Sequence, residues 1–141
     1  MIMNPTKKPI RNDKGGQGNY GASRRKTEGG RIIRYLHQGT DYQCTPGQDI
    51  LAPCTGTIKA VSMPYSGSHY SGVLLEGHRL TLQMWYFYPD MLLIGQQVKI
   101  GQVIGKAQDI SKRYNGVTPH IHLQIIRCDP ELLIHDTPDN I

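Results

Sequence analysis

Short apolar runs separated by Gly and Pro turns fill the chain from Ile32 onward, whereas residues 1–31 show almost no apolar periodicity. Alternation of apolar and polar positions with a period of two marks half-buried strands. It predicts strands over 32–36, 40–43, 49–51, 56–62, 72–76, 80–88, 98–100, 103–106 and 120–127. Strands recurring about every ten residues between turn signals indicate an all-β sheet or sandwich. The one helical candidate is 107–113. In 80–88, the longest run, Leu80, Leu82, Met84, Tyr86 and Tyr88 share one face, and Thr81, Gln83, Trp85 and Phe87 the other. Aromatic residues on both faces near its end require burial on both sides or a cleft, with Trp85 and Phe87 read as core.

Composition refines this picture. The 141 residues fit one domain, and 16 Gly with 9 Pro suit a turn-rich β protein. The pattern divides the chain into a basic, Gly-rich, mostly irregular arm at 1–31 and a β domain at 32–141. The arm is ordered only where it packs over the domain. The net charge of +5 favours anionic partners. Much of it lies early, with Lys7, Lys8, Arg11, Lys14, Arg24, Arg25, Lys26, Arg31 and Arg34. No aromatic-interleaved RNA motif or recognition helix accompanies these cations, so no specific nucleic-acid partner is expected. Cys44, Cys54 and Cys128 are too few and too scattered for a disulfide framework and read as free thiols, with a Cys44–Cys54 bridge the alternative. The first residues lack the apolar stretch of a secretory signal, and no run is long enough to span a membrane. Synthesis in the cytoplasm is the expectation.

Candidate chemistry sits in two segments, His37-Gln-Gly-Thr-Asp41 and His120-Ile-His122. Imidazole nitrogen and carboxylate oxygen bind divalent zinc, and a catalytic zinc keeps three protein ligands and an open position. On a straight strand His37 and Asp41 would lie about 13 Å apart, too far to share an ion. Gly39 between them permits the bend that brings both inward. His120 and His122 share a face about 6.6 Å apart, so either both bind the ion or one binds while the other serves as a base. Gln124 continues that face as a hydrogen-bond partner for an imidazole. His69, His78 and His135 read as ordinary surface or core histidines. Two imidazoles and a carboxylate accept several transition ions.

The ordered series Tyr20-Gly-Ala-Ser-Arg24, His37-x-Gly-x-Asp41, Pro46-Gly-Gln-Asp-Ile-Leu-Ala-Pro53, Gly56-Thr-Ile58, Gly95 to Gly105 and His120-Ile-His122 resembles the lysostaphin/LytM-type zinc metalloendopeptidases. The resemblance covers most of 20–126. It implies an all-β domain with a groove over an antiparallel sheet, Zn2+ held by His37, Asp41 and His122, and His120 as the catalytic histidine. The implied partners are the peptides of bacterial peptidoglycan. One departure stands out. Family members carry Tyr-x-His-Leu, where this chain reads Tyr86-Phe87-Tyr88-Pro89, so Tyr88 takes the place of a second catalytic histidine. This aligns the chain with the subgroup lacking that histidine, and a tyrosine hydroxyl can still donate to an oxyanion. The expected function is a zinc-dependent peptidoglycan endopeptidase. A phage virion, attached through tail or baseplate proteins, accommodates the missing signal. The alternative is a zinc-stabilised, catalytically weak or inactive binding or structural module of the same fold.

Overall fold

The computed structural model describes residues 2–128. Its strands are β1 (Asn12–Asp13), β2 (Gly16–Gln17), β3 (Ser23–Glu28), β4 (Arg31–Leu36), β5 (Thr40–Gln43), β6 (Asp49–Leu51), β7 (Gly56–Ser62), β8 (Gly72–Gly77), β9 (Leu80–Trp85), β10 (Phe87–Pro89), β11 (Gln97–Val98), β12 (Val103–Ala107) and β13 (His120–Cys128). The central sheet runs β11-β7-β8-β9-β13-β5, and a smaller one runs β10-β12-β6. Two ribbons, β1-β2 and β3-β4, precede them. The strand pairings are antiparallel. The all-β fold class expected from the sequence is what the chain adopts.

Alternation sorts each strand's two faces. Tyr42, Ile58, Val73, Leu75, Leu80, Leu82, Met84, Ile121 and Leu123 turn inward, and Ile50, Phe87 and Ile104 of the smaller sheet join them in one core. Removing such apolar surface from water contributes about 25 cal/mol per Å². The opposite face of β13 therefore carries His120, His122 and Gln124, and that of β5 carries Asp41. Cys44, Cys54 and Cys128 are free thiols, the first two buried. Burial pushes the Cys44 thiol up to about 12.

Three expectations are corrected. The 80–88 strand ends at Trp85, because Tyr86 takes a positive φ of 83° and the Ser71 carbonyl accepts from both the Tyr86 and Phe87 N–H groups. Two residues facing one in this way make a bulge, which breaks the alternation. As a result Phe87 enters the core, Trp85 stays half-buried on the site face, and Tyr88 emerges 52% exposed in the second sheet. The helical candidate at 107–113 contracts to one 3-10 turn, Ile110–Lys112, started by the Asp109 carboxylate accepting from the Ser111 N–H. Strand β3 lies outside the expected strands, since five of its six residues are exposed and leave no apolar alternation.

The amino-terminal segment packs along the outer side of β5. Gln43 donates to the Pro9 carbonyl, Arg11 N–H to the Asp41 carbonyl and Asp41 N–H to the Gly18 carbonyl, at 2.7–2.8 Å. An edge strand left open is a template for unwanted pairing, and here residues 9–18 cover it. A Cβ on Gly18 would lie 2.8 Å from Asp41 Cβ and 2.9 Å from Arg11 Cβ, so only glycine permits this approach.

Candidate metal centre

Register brings the site together. On β13, His122 sits opposite Asp41 of β5 on one side and Trp85 of β9 on the other. Directly opposed residues have Cβ atoms about 5 Å apart, close enough for side chains to share an ion. His37 joins from the bend before β5, held by its N–H to the Ala22 carbonyl and by the Gly21 N–H to its own carbonyl. The bend falls at Gly39 as expected. Its φ is not positive; glycine is needed for room. A Cβ there would stand 2.6 Å from the Leu123 carbonyl oxygen and 2.7–2.8 Å from Cε1 and Nε2 of His122.

The three inward atoms form a small triangle. His122 Nδ1 lies 2.9 Å from Asp41 Oδ1, His37 Nε2 lies 3.2 Å from the same oxygen, and the two nitrogens are 3.2 Å apart. Bonds near 2.1 Å to a tetrahedral ion place neighbouring ligand atoms about 3.4 Å apart, so the triangle has the size of one face of such a shell. Orientation agrees. His37 Nδ1 pairs with the Asn19 carbonyl and His122 Nε2 with the Gln124 side-chain oxygen, which fixes the N–H outward and leaves a lone pair facing Asp41. Trp85 stacks on the His122 ring at 5.1 Å and anchors its own Nε1 on Ser62 Oγ. The donor set therefore fits a zinc-like ion.

His120 completes a quartet without joining the triangle. Its Nδ1 pairs with the Thr118 carbonyl at 2.7 Å, and Nε2 stands 3.6 Å from Asp41 Oδ2. Burial lowers its pKa below the ordinary value, against the pull of the Asp41 charge, so the ring is neutral near pH 7 with Nε2 free to accept a proton.

Asp41 is 2% exposed. Burial opposes its ionisation, but when the surrounding imidazoles are protonated, hydrogen bonds from His122 and His37 and the charges on His120 and His122 hold the carboxyl well below the usual carboxylate range. Arg11, 4% exposed, donates Nε to Asp41 Oδ2 at 3.1 Å and Nη1 to Asp13 Oδ1 at 2.7 Å. Asp13 Oδ2 accepts the Thr118 N–H, and the Thr118 carbonyl accepts from His120. A hydrogen-bonded circuit thus runs from the triangle's carboxylate through the amino-terminal segment to the fourth imidazole. Neither Arg11 nor Asp13 belongs to a motif that marks a site. The available signal was the Arg-x-Asp pair beside Gly15, Gly16 and Gly18, a density of glycine that accompanies close backbone approach.

Tyr88 does not reach this group through any described ring contact; its ring lies 6.4 Å from that of His69. Tyr86 is the tyrosine whose ring meets His120, edge-on at 5.2 Å. Its hydroxyl bonds to Tyr65, which bonds in turn to Tyr114. Burial pushes Tyr86 up to about 12, so its hydroxyl stays protonated. His69 and His78 are exposed, and His135 lies outside the described residues.

The family model described as "Peptidase family M23" matches residues 35–132. The chain belongs to peptidase family M23. That range holds the triangle and His120. The resemblance to lysostaphin/LytM-type enzymes is borne out at the level of the family. Among relatives of this M23 chain, leukocyte cell-derived chemotaxin-2 of Bos taurus is 32% identical over 96 residues, which cover 67% of this chain and 61% of the relative. The Mus musculus protein of the same name is 28% identical, covering 83% and 71%. Two solved structures share the fold. Csd3 of Helicobacter pylori superposes with a TM-score of 0.59 at 21% identity, covering 90% of this chain and 32% of that one. A zinc-containing peptidase from Vibrio cholerae gives 0.56 at 23%, covering 89% and 37%. The chain thus spans less than two thirds of the cattle relative and about a third of each solved chain. Among the described residues, no helix is long and apolar enough to cross a membrane.

A Gly39→Ala chain is expected to fold but to bind zinc about 10–100-fold more weakly, the usual effect of disturbing a ligand's support. Titration against a competing chelator measures this; an unchanged dissociation constant would show that the His122 ring has room to spare.

Proposed function

We propose that this M23 chain is a zinc-dependent endopeptidase acting on peptides of bacterial peptidoglycan. The observation that carries this reading is the triangle of His37, Asp41 and His122 with a neutral fourth imidazole, His120, beside it. Zinc bound by the triangle would supply a Lewis acid for the scissile carbonyl and make neighbouring water acidic enough to attack near neutral pH. His120 Nε2 takes the proton from the attacking water, while the Thr118 carbonyl holds Nδ1–H and keeps the ring in the right tautomer. The same nitrogen then returns the proton to the leaving amine. Tyr86 walls the His120 side. In this reading Tyr88 lies on the rim, where its hydroxyl is free to meet substrate.

A second reading, a zinc-stabilised binding module without hydrolytic activity, is favoured by Tyr88, which the resemblance puts in place of the family's second catalytic histidine and which is half-exposed. Zymography on purified cell walls separates the two. The first reading expects clearing that chelator removes and zinc restores. It also expects His120→Ala to retain its zinc and lose activity by about 10² or more, the scale of a missing general base. Absence of clearing by a folded, zinc-loaded chain selects the module. Loss of zinc in His120→Ala would instead make both histidines of β13 ligands.

A further inference from the structure

A basic cavity shares Arg24 with the surroundings of the metal centre. It has a volume of about 650 Å³ and is lined by Lys14, Arg24, Arg25, Arg34, Tyr35 and Leu36, together with Gly15, Gly16 and Ser23. Four of these side chains are cationic and none is acidic. The volume falls within the range of ordinary ligand sites. We propose that this cavity binds the free carboxylates of an acidic peptide; the proposal rests on the peptidase reading and names the class of its substrate.

Three observations support it. In the β3-β4 ribbon Arg25 and Arg34 occupy directly opposed positions. Like charges so placed destabilise a ribbon, and among the described residues neither has an ion-pair partner, whereas Lys26 has Glu28 and Arg24 has Asp41. An anion between them would remove that repulsion. Second, the walls are mixed. Tyr35 is 44% and Leu36 61% exposed, apolar surface that suits the methylenes of a peptide better than bare phosphate. Third, Arg24 belongs to both sites. Its Nη2 stands 3.7 Å from Asp41 Oδ2, and its guanidinium is held by the Ser23 and Gln17 carbonyls. Arg24 thus lines the cavity and reaches the triangle's carboxylate as well. A peptide whose carboxylates rest on Lys14, Arg25 and Arg34 is held alongside the metal centre, and a neutral oligoglycine lacks that hold.

The test uses the full zinc-loaded chain and calorimetric titration with three probes: Ala-Glu-Glu-Ala, its counterpart Ala-Gln-Gln-Ala, and inorganic phosphate. The glutamate peptide is expected to bind about tenfold tighter at low salt, the effect of two solvent-facing ion pairs, and to lose that margin as salt screens them. The Arg25→Gln/Arg34→Gln chain is expected to bind both peptides alike while keeping its zinc content and a urea midpoint no lower than the parent's. Equal affinities in the parent, or an unchanged preference in the double variant, would overturn the proposal. So would phosphate displacing the glutamate peptide at similar concentration, which makes the cavity a general anion site. A chain that shows the preference but clears no cell wall keeps this site and loses the peptidase reading. A chain that clears walls without the preference does the reverse.

Discussion

The His37→Ala protein is expected to unfold at the same temperature with and without added zinc, whereas the parent gains about 4 kcal/mol when zinc is present at a thousand times its dissociation constant. The triangle is assembled only in the folded chain, from a bend, an edge strand and the strand beside it. A ligand that binds only the native state stabilises it by mass action, so the zinc increment reports the triangle directly. Asp41→Asn is expected to lose the same increment and also to fall below the parent without metal. Asparagine accepts fewer and weaker hydrogen bonds, leaving Arg11 buried beside a neutral amide. Thermal melts and elemental analysis of the three proteins decide the matter. A parent-like zinc increment or stoichiometry in either variant would remove that residue from the ligand set.

Arg11→Met is expected to cost the metal-free protein about 3–5 kcal/mol, the scale for removing the nearest cation from buried carboxylates. Two carboxylates depend on this guanidinium. Asp41 is nearly inaccessible, and the Asp13 side chain is 10% exposed. Burial works to raise Asp13, and the Thr118 and Gly15 N–H groups with the Arg11 charge overcome it and keep the carboxyl below its ordinary value. Methionine fills much of the same volume, so packing alone would predict a small change. Urea unfolding separates the two accounts: a loss under 1 kcal/mol would mean that the ion pairs contribute little. Zinc should recover part of the loss, since a cation at the triangle offsets the Asp41 charge.

Much of the fold was legible because one-sided burial writes a period of two into the chain. Strands β5, β6 and β7 fall where alternation put them. The pattern failed where its physical cause was missing. Strand β3 buries no face and left no alternation to read. Tyr86 carries a positive φ that nothing in its side chain announces, and the bulge there reversed the facing of Phe87 and Tyr88, while Trp85, just before it, kept its face. The triangle was legible because glycine spacing and a two-residue histidine step have few structural outcomes. Arg11 and Asp13 were not, because a lone cation in a basic, glycine-rich stretch looks the same whether it ends in water or beneath a carboxylate. Only the backbone pairing of residues 9–18 with β5 distinguishes those fates.

The circuit joining Asp41, Arg11, Asp13, Thr118 and His120 has a practical corollary for anyone trimming this protein. A fragment started at residue 35, where the match to the family model begins, would carry each candidate ligand and the proposed base yet discard the guanidinium that neutralises one and the acid that steadies the loop under the other. Such a minimal version would look complete on paper and be electrostatically unfinished.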